Sequence, residues 1–183
     1  ERYPDHFVGI AVHNADPMEN PAYDAGLTGW SGFSGFPSVL FDRDNIRSLS
    51  LLNLERDFLQ QVQDAPPVTL EIGADYNDAT RELVTAIGGN FTEDLGAGYR
   101  VVGVLVENGV TGTGSGYAQV NAYAGGGFGP MGGYEDLPSP VPAGMMVYEL
   151  VGRELLAGFE GDPNSLPASI GAGEKHAYLF DTL

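Results

Sequence analysis

The stretch Phe33-Ser34-Gly35-Phe36-Pro37-Ser38-Val39-Leu40-Phe41-Asp42-Arg43 joins a Gly/aromatic turn to a proline that directly precedes an apolar run. Proline cannot donate a ladder hydrogen bond, so just before a strand it marks the first position or a shaped X-Pro turn. X-Pro is also the only common cis peptide. Gly35-Phe36-Pro37 is therefore expected to form a shaped bend that feeds a buried strand from Val39 to Phe41. Upstream, Phe7-Val8-Gly9-Ile10-Ala11-Val12 is nearly continuous in apolar character, as a strand covered on both faces requires. It runs into His13-Asn14, a Pro/Asp-rich loop and a short helical stretch near Pro21 to Leu27. Strand, helix, proline turn and strand outline a βαβ unit.

Further along, Glu1 to His6 reads as the end of a helix stopped at Pro4. Leu51, Leu54, Phe58, Leu59 and Val62 fall at helical spacing within Leu51 to Asp64, with Ser50 or Asn53 available as a cap. Ala65-Pro66-Pro67 ends that helix and makes a stiff link, where the sequence divides into a 1–65 domain and a 66–183 domain. From Val68 the period becomes two. Strands are expected from Val68, over Glu82 to Asn90, Tyr99 to Glu107, Met145 to Leu156, and from His176 onward. Strands at this spacing without helical patterns between them point to an antiparallel β-sandwich. Residues 109–142 form a long Gly/Pro/aromatic loop anchored by Tyr117, Tyr123, Phe128 and Tyr134.

The charge balance narrows the functional classes. Twenty-five acidic residues against eight basic ones give a net charge of −17, a field that repels phosphate backbones, so nucleic-acid binding is set aside. The residues up to Ala65 carry 10 acidic and 4 basic side chains and the rest carry 15 and 4, so the acidity is global. With 43% apolar residues, a chain of 183 residues is long enough to bury a real core, and no apolar run is long enough to cross a bilayer. The absence of cysteine rules out a thiol nucleophile, a disulfide and a thiolate metal site within these residues.

His6, His13 and His176 lack metal-ligand spacing. His13, at the end of the first apolar run, is the titrating group to watch. Asp75-Tyr76-Asn77-Asp78 and Asp42-Arg43-Asp44-Asn45 offer oxygen ligands at short spacing, which makes Ca²⁺ the one cofactor to consider, with Asp75, Asn77 and Asp78 as its ligands. Neither completes the specific calcium-loop pattern, and an Asx turn accounts for both. Gly125-Gly126-Gly127-Phe128-Gly129 lacks the Lys-Ser/Thr and the following helix of a phosphate loop. Asn90-Phe91-Thr92 is a sequon. No catalytic residue or nucleophile–base pair emerges, so the chain reads as non-enzymatic.

FVGIAVHNADPM (Phe7 to Met18) and GFPSVLFDR (Gly35 to Arg43) together resemble the outer membrane protein 28-related family of secreted and surface-anchored bacterial proteins. YRVVGVLVE beginning at Tyr99, Asn121-Ala122-Tyr123 and the Val147 to Leu156 segment with Arg153 continue the resemblance. It implies a thioredoxin-like domain followed by a β-sandwich, an α+β architecture, with a cis Phe36–Pro37 bond and a candidate binding groove of His13, Phe36 and Pro37, here without the family's upstream strand and Cys-containing segment. It further implies a bacterial cell-surface, outer-membrane-associated, periplasmic or secreted location. Asp181-Thr182-Leu183 resembles a bacterial O-glycosylation motif, with Thr182 as its acceptor. Three functions follow from the residues and the resemblance together. One is an accessory subunit that binds other protein chains, its own detached N-terminal segment or an outer-membrane complex. The second is a thiol-disulfide oxidoreductase whose Cys-x-x-Cys lies outside this chain, and the third is a Ca²⁺-binding surface protein.

Overall fold

The computed structural model describes Tyr3 and residues 6–47 and 51–180, with the side chains of residues 51 and 52 not included. The expected helix end at Glu1 to Pro4 and the Thr182 motif fall outside the described residues. The elements in chain order are α1 (Pro21–Thr28), β1 (Val39–Phe41), β2 (Asn45–Arg47), α2 (Leu51–Gln61), β3 (Val68–Asn77), β4 (Glu82–Phe91), β5 (Gly103–Glu107), β6 (Val151–Leu156) and β7 (Lys175–Phe180). This is a mixed α+β chain dominated by antiparallel pairing, in sheets ordered β1-β2, β3-β4-β7 and β5-β6.

The residues group into two compact units interleaved in sequence. The first draws on Glu1–His6, Ala25–Val104 and Leu155–Leu183, the second on Phe7–Asp24 and Leu105–Glu154. The Ala65-Pro66-Pro67 link thus lies inside the first unit.

In the first unit, the Phe36–Pro37 bond is cis and the chain then enters β1. β1 pairs with β2 as an antiparallel hairpin, Leu40 opposite Ile46. The parallel βαβ pairing expected for β1 is therefore replaced by a local partner. The hairpin turns through Asp42 and Arg43, both at positive φ, and Asp44 N–H donates to the Phe41 carbonyl at 2.9 Å. An Arg in that region needs outside support. Arg43 has it: Nη2 donates to the Phe159 carbonyl at 2.6 Å, and its guanidinium lies 4.1 Å from the Phe159 ring centroid.

α2 ends ahead of Pro66, as a helix approaching two prolines must. Its Phe58 meets the Tyr3 ring at 4.9 Å, and Tyr3 hydroxyl donates to Glu55 at 3.0 Å. β3 and β4 pair along their whole length, Val68 opposite Phe91 and Asn77 opposite Glu82. The turn is closed by Asn77, whose side-chain oxygen accepts Ala79 and Thr80 N–H. β7 adds to the other side of β4, Thr85 opposite Phe180. Ile87, Leu156 and Phe180 make the buried cluster on this sheet, with Val101 and Tyr178 packed against it.

In the second unit, Met18, Val141, Met146, Tyr148 and Val151 form the core, flanked by Val110, Tyr117 and Leu137. Asn20 caps the start of α1: its side-chain oxygen accepts Tyr23 N–H at 2.9 Å, its amide donates to the Arg153 carbonyl at 2.8 Å, and Pro21 occupies the first helical position. The strand expected at Phe7 to Val12 is reduced to one parallel bridge, Ala11 with Val151. Phe7, Val8 and Ile10 are exposed, so this run lacks the cover on both faces that its composition called for. Met145, expected to begin a strand, instead closes a 3-10 turn, Ala143–Met145.

Candidate functional site

Of the three residues of the candidate groove, His13 belongs to the second unit and Phe36 and Pro37 to the first, and each is described within its own unit. Around Phe36 and Pro37 lies an open cleft of about 500 Å³ lined by Gly32, Ser34, Gly35, Ser38, Ile46 and Arg47. The Phe36 ring rests edge-on against Phe33 at 5.1 Å, and Ser38 hydroxyl donates to the Gly35 carbonyl, which fixes the bend. Arg47 is the charged group of this wall, and it also lies 3.9 Å from the Asp57 carboxylate.

His13 is far better held. Its Nδ1 lies 2.6 Å from Asp16 Oδ2, the two side chains being only 11% and 16% exposed, and its ring meets Tyr148 edge-on at 5.3 Å. Asp16 also accepts Met18 N–H through Oδ1 at 2.8 Å, locking the loop between the first apolar run and α1. Tyr148 donates its hydroxyl to the Tyr117 carbonyl at 2.7 Å. Burial holds the Tyr148 hydroxyl above its ordinary pKa, helped by the nearby Asp16 charge and by Tyr134. A carboxylate on Nδ1 orients an imidazole with Nε2 free, the arrangement of a base with its orienting partner. Among the described residues no side-chain hydroxyl is hydrogen-bonded to that ring. The spacing His13-x-x-Asp16 was visible in the sequence, but Tyr148 is brought in only by the fold.

The 109–142 segment is tied at its base by the antiparallel bridge between Gln119 and Val141. Inside it, Asn121, only 7% exposed, acts as a clamp. Its amide donates to the Tyr134 carbonyl at 2.7 Å and the Leu137 carbonyl at 3.2 Å, while its oxygen accepts Tyr123 N–H at 3.0 Å. Glu135 accepts Met131 N–H and Gly133 N–H on one carboxylate oxygen. Its own backbone N–H and then that of Met131 hold its carboxyl below the usual range, against a smaller opposing effect of burial. Gly125, Gly126, Gly129, Gly132 and Gly133 all take positive φ, which is why this tract is glycine-rich. Out of the loop stand Val120 and Phe128, the latter edge-on to Tyr123 at 5.9 Å.

The calcium candidates Asp75, Asn77 and Asp78 sit at the end of β3 and its turn, where Asn77 serves the Asx turn already described. Asp42 accepts Gln61, and Asp44 accepts its neighbour Asn45. Among the described residues no cluster of three or more His, Asp or Glu side chains has metal-binding geometry. His176 pairs with Glu174 at 3.1 Å and His6 lies in an exposed turn. Among the described residues no helix is long and apolar enough to cross a membrane.

Comparison with known proteins returned no matching family model, no matching curated protein and no matching solved structure.

Proposed function

We propose that this chain is an accessory protein of the bacterial cell surface or outer membrane that works by binding other protein chains. The observation that carries the reading is the 119–141 loop: Phe128 is 67% exposed and Val120 77%, yet the loop beneath them is pinned by the buried Asn121 amide. From Asn108 to Tyr134 there is no charged side chain, in a chain of net charge −17. An apolar, uncharged surface set on a fixed frame suits a protein contact, because little ordering entropy is lost on binding. The partial thioredoxin-like and β-sandwich descriptions belong to this proposal too, supported by the Gly35-Phe36-Pro37 bend into β1 and by the antiparallel pairing after Val68.

The test is a photo-crosslinking residue at position 128 of the protein in its native host, followed by fractionation. One dominant protein adduct in the envelope fraction, lost on Val120→Ser, is expected; adducts spread over many proteins, or none, would sink the reading. A thiol-disulfide exchange role finds support in the open cleft beside Phe36 and Pro37. It predicts that a longer form of the protein carrying a Cys-x-x-Cys reduces insulin, with Phe36→Ala weakening the reaction.

A further inference from the structure

The core side of the β3-β4-β7 sheet changes character within one strand spacing. On β4, Ile87 and Phe91 are 6% and 4% exposed, whereas directly across on β3 Ile72 is 71% exposed, with Leu70 at 60% and Tyr76 at 50% on the same face. The core stops at β4 and β3 overhangs it.

The ladder phase shows what the overhanging edge presents. Thr92 N–H donates to the Pro67 carbonyl and Phe91 N–H to the Glu174 carbonyl. Residues at 69, 71, 73, 75 and 77 of β3 therefore turn their N–H and C=O toward β4, by the alternation of antiparallel pairing. Val68, Leu70, Ile72, Ala74 and Tyr76 turn theirs outward, and no described backbone group bonds to them. The apolar row and the free backbone row thus belong to the same residues. β3 contains no proline and no lysine, the usual guards of such an edge. On the opposite face it carries Glu71 and Asp75, with Glu82 beside them on β4.

We propose that β3 accepts an extended segment of a partner protein as an added strand, one that alternates apolar and basic side chains. Backbone pairing along the free edge supplies affinity, as in strand addition generally. The segment's aliphatic side chains cover Leu70, Ile72 and Tyr76, and its Lys or Arg side chains stand opposite Glu71 and Asp75. Charge selects against a second copy of this chain: a strand carrying Glu71 and Asp75 brings like charges alongside one another, on a protein of net charge −17. The inference deepens the protein-binding reading but rests on residues other than the Phe128 loop.

The probe is a synthetic peptide matching β3 in length that alternates valine and lysine. Its controls are a valine–glutamate peptide and a peptide of the same composition with its valines and lysines in separate blocks. With the whole chain, the alternating basic peptide should bind, and the amides of Leu70, Ile72 and Ala74 should gain hydrogen-exchange protection. Ile72→Pro removes an outward N–H while leaving the inner ladder intact, and should weaken binding roughly tenfold or more. Paired Glu71→Lys and Asp75→Lys should reverse the preference between basic and acidic peptides, with native β4–β7 amide protection confirming the fold of both variants. Equal binding of the block peptide, binding without protection at β3, or concentration-dependent protection of these amides in the peptide-free protein would each overturn the proposal. The last would identify a second copy as the occupant. Failure of the position-128 crosslink with intact peptide binding would remove only the loop reading.

Discussion

Tyr178 on β7 donates its hydroxyl to the Asp162 carboxylate at 2.6 Å. Asp162 also accepts Asn164 N–H, and its own carbonyl accepts the Ser165 hydroxyl, whose oxygen in turn takes Val101 N–H. One aspartate, through its carboxylate and its main-chain carbonyl, therefore organises the loop that leads back to the sheet's buried cluster.

The Asp162 carboxyl is held below its ordinary pKa first by the Tyr178 hydroxyl and then by the Asn164 backbone N–H. A carboxyl with a lowered folded value stabilises the fold above its unfolded value, and that contribution is lost as pH falls through the folded value. Tyr178→Phe should lower the urea midpoint at neutral pH, and the gap from the parent should close as pH drops below the usual aspartate range. A carbon-detected titration should show the Asp162 pKa rising toward its ordinary value in the variant. An unchanged titration would show that the hydroxyl is not its main partner.

Asn121 donates into a ring of backbone carbonyls while only 7% exposed. Asn121→Ala leaves those carbonyls and Tyr123 N–H without their partner, at a cost of about 1–3 kcal/mol. Hydrogen exchange across Gln119–Val141 should accelerate and limited proteolysis should cut within the glycine tract. Unchanged exchange there would mean that the bridge at Gln119 and Val141 alone holds the loop.

Met18 is 1% exposed and packs with Val141, Met146, Tyr148 and Val151. Met18→Ala should destabilise the protein by about 2–5 kcal/mol, the range for a large-to-small core change. Denaturant titration followed by the near-ultraviolet signal of the tyrosines, Tyr148 among them, provides the measurement. A cost under about 1 kcal/mol would indicate that the cavity collapses.

The parts legible in the sequence were those governed by local rules. Asn20-Pro21 begins α1, Pro66-Pro67 follows α2, and period-two alternation after Val68 yields β3 and β4 close to their observed bounds. The run Phe7 to Val12 departs from expectation because apolar composition says how well a strand could be buried, not whether a neighbour exists to pair with it. Ala11 bridges to Val151, far along the chain. The alternation in β3 suggests a strand half-buried against a core. Its apolar row instead overhangs the sheet, and exposure of that kind depends on where the packing layer ends, which no local pattern encodes. At the site, His13 stands out in the sequence but Tyr148 does not, since their contact spans a sequence separation that spacing rules do not reach.

Gly26 in α1 offers a test in which two effects of opposite sign compete. In a helix, alanine is favoured over glycine by about 1 kcal/mol. A Cβ at Gly26, however, would overlap Cγ and Cδ2 of the Phe159 ring, so the ring must move. That ring is engaged edge-on by Trp30 at 5.9 Å and stacked by the Arg43 guanidinium at 4.1 Å. Overpacking of this kind costs about 1–3 kcal/mol, and weakening the ring's aromatic and cation–π interactions adds to that. Gly26→Ala should therefore destabilise, and Trp30, the chain's single tryptophan, should report the displaced ring through its fluorescence. In a Phe159→Ala background the obstruction is gone, and the same substitution should become neutral or stabilising as helix propensity takes over. The double-mutant cycle then yields a coupling whose sign identifies the ring as the cause. Equal destabilisation in both backgrounds would place the cost in the backbone of α1 instead.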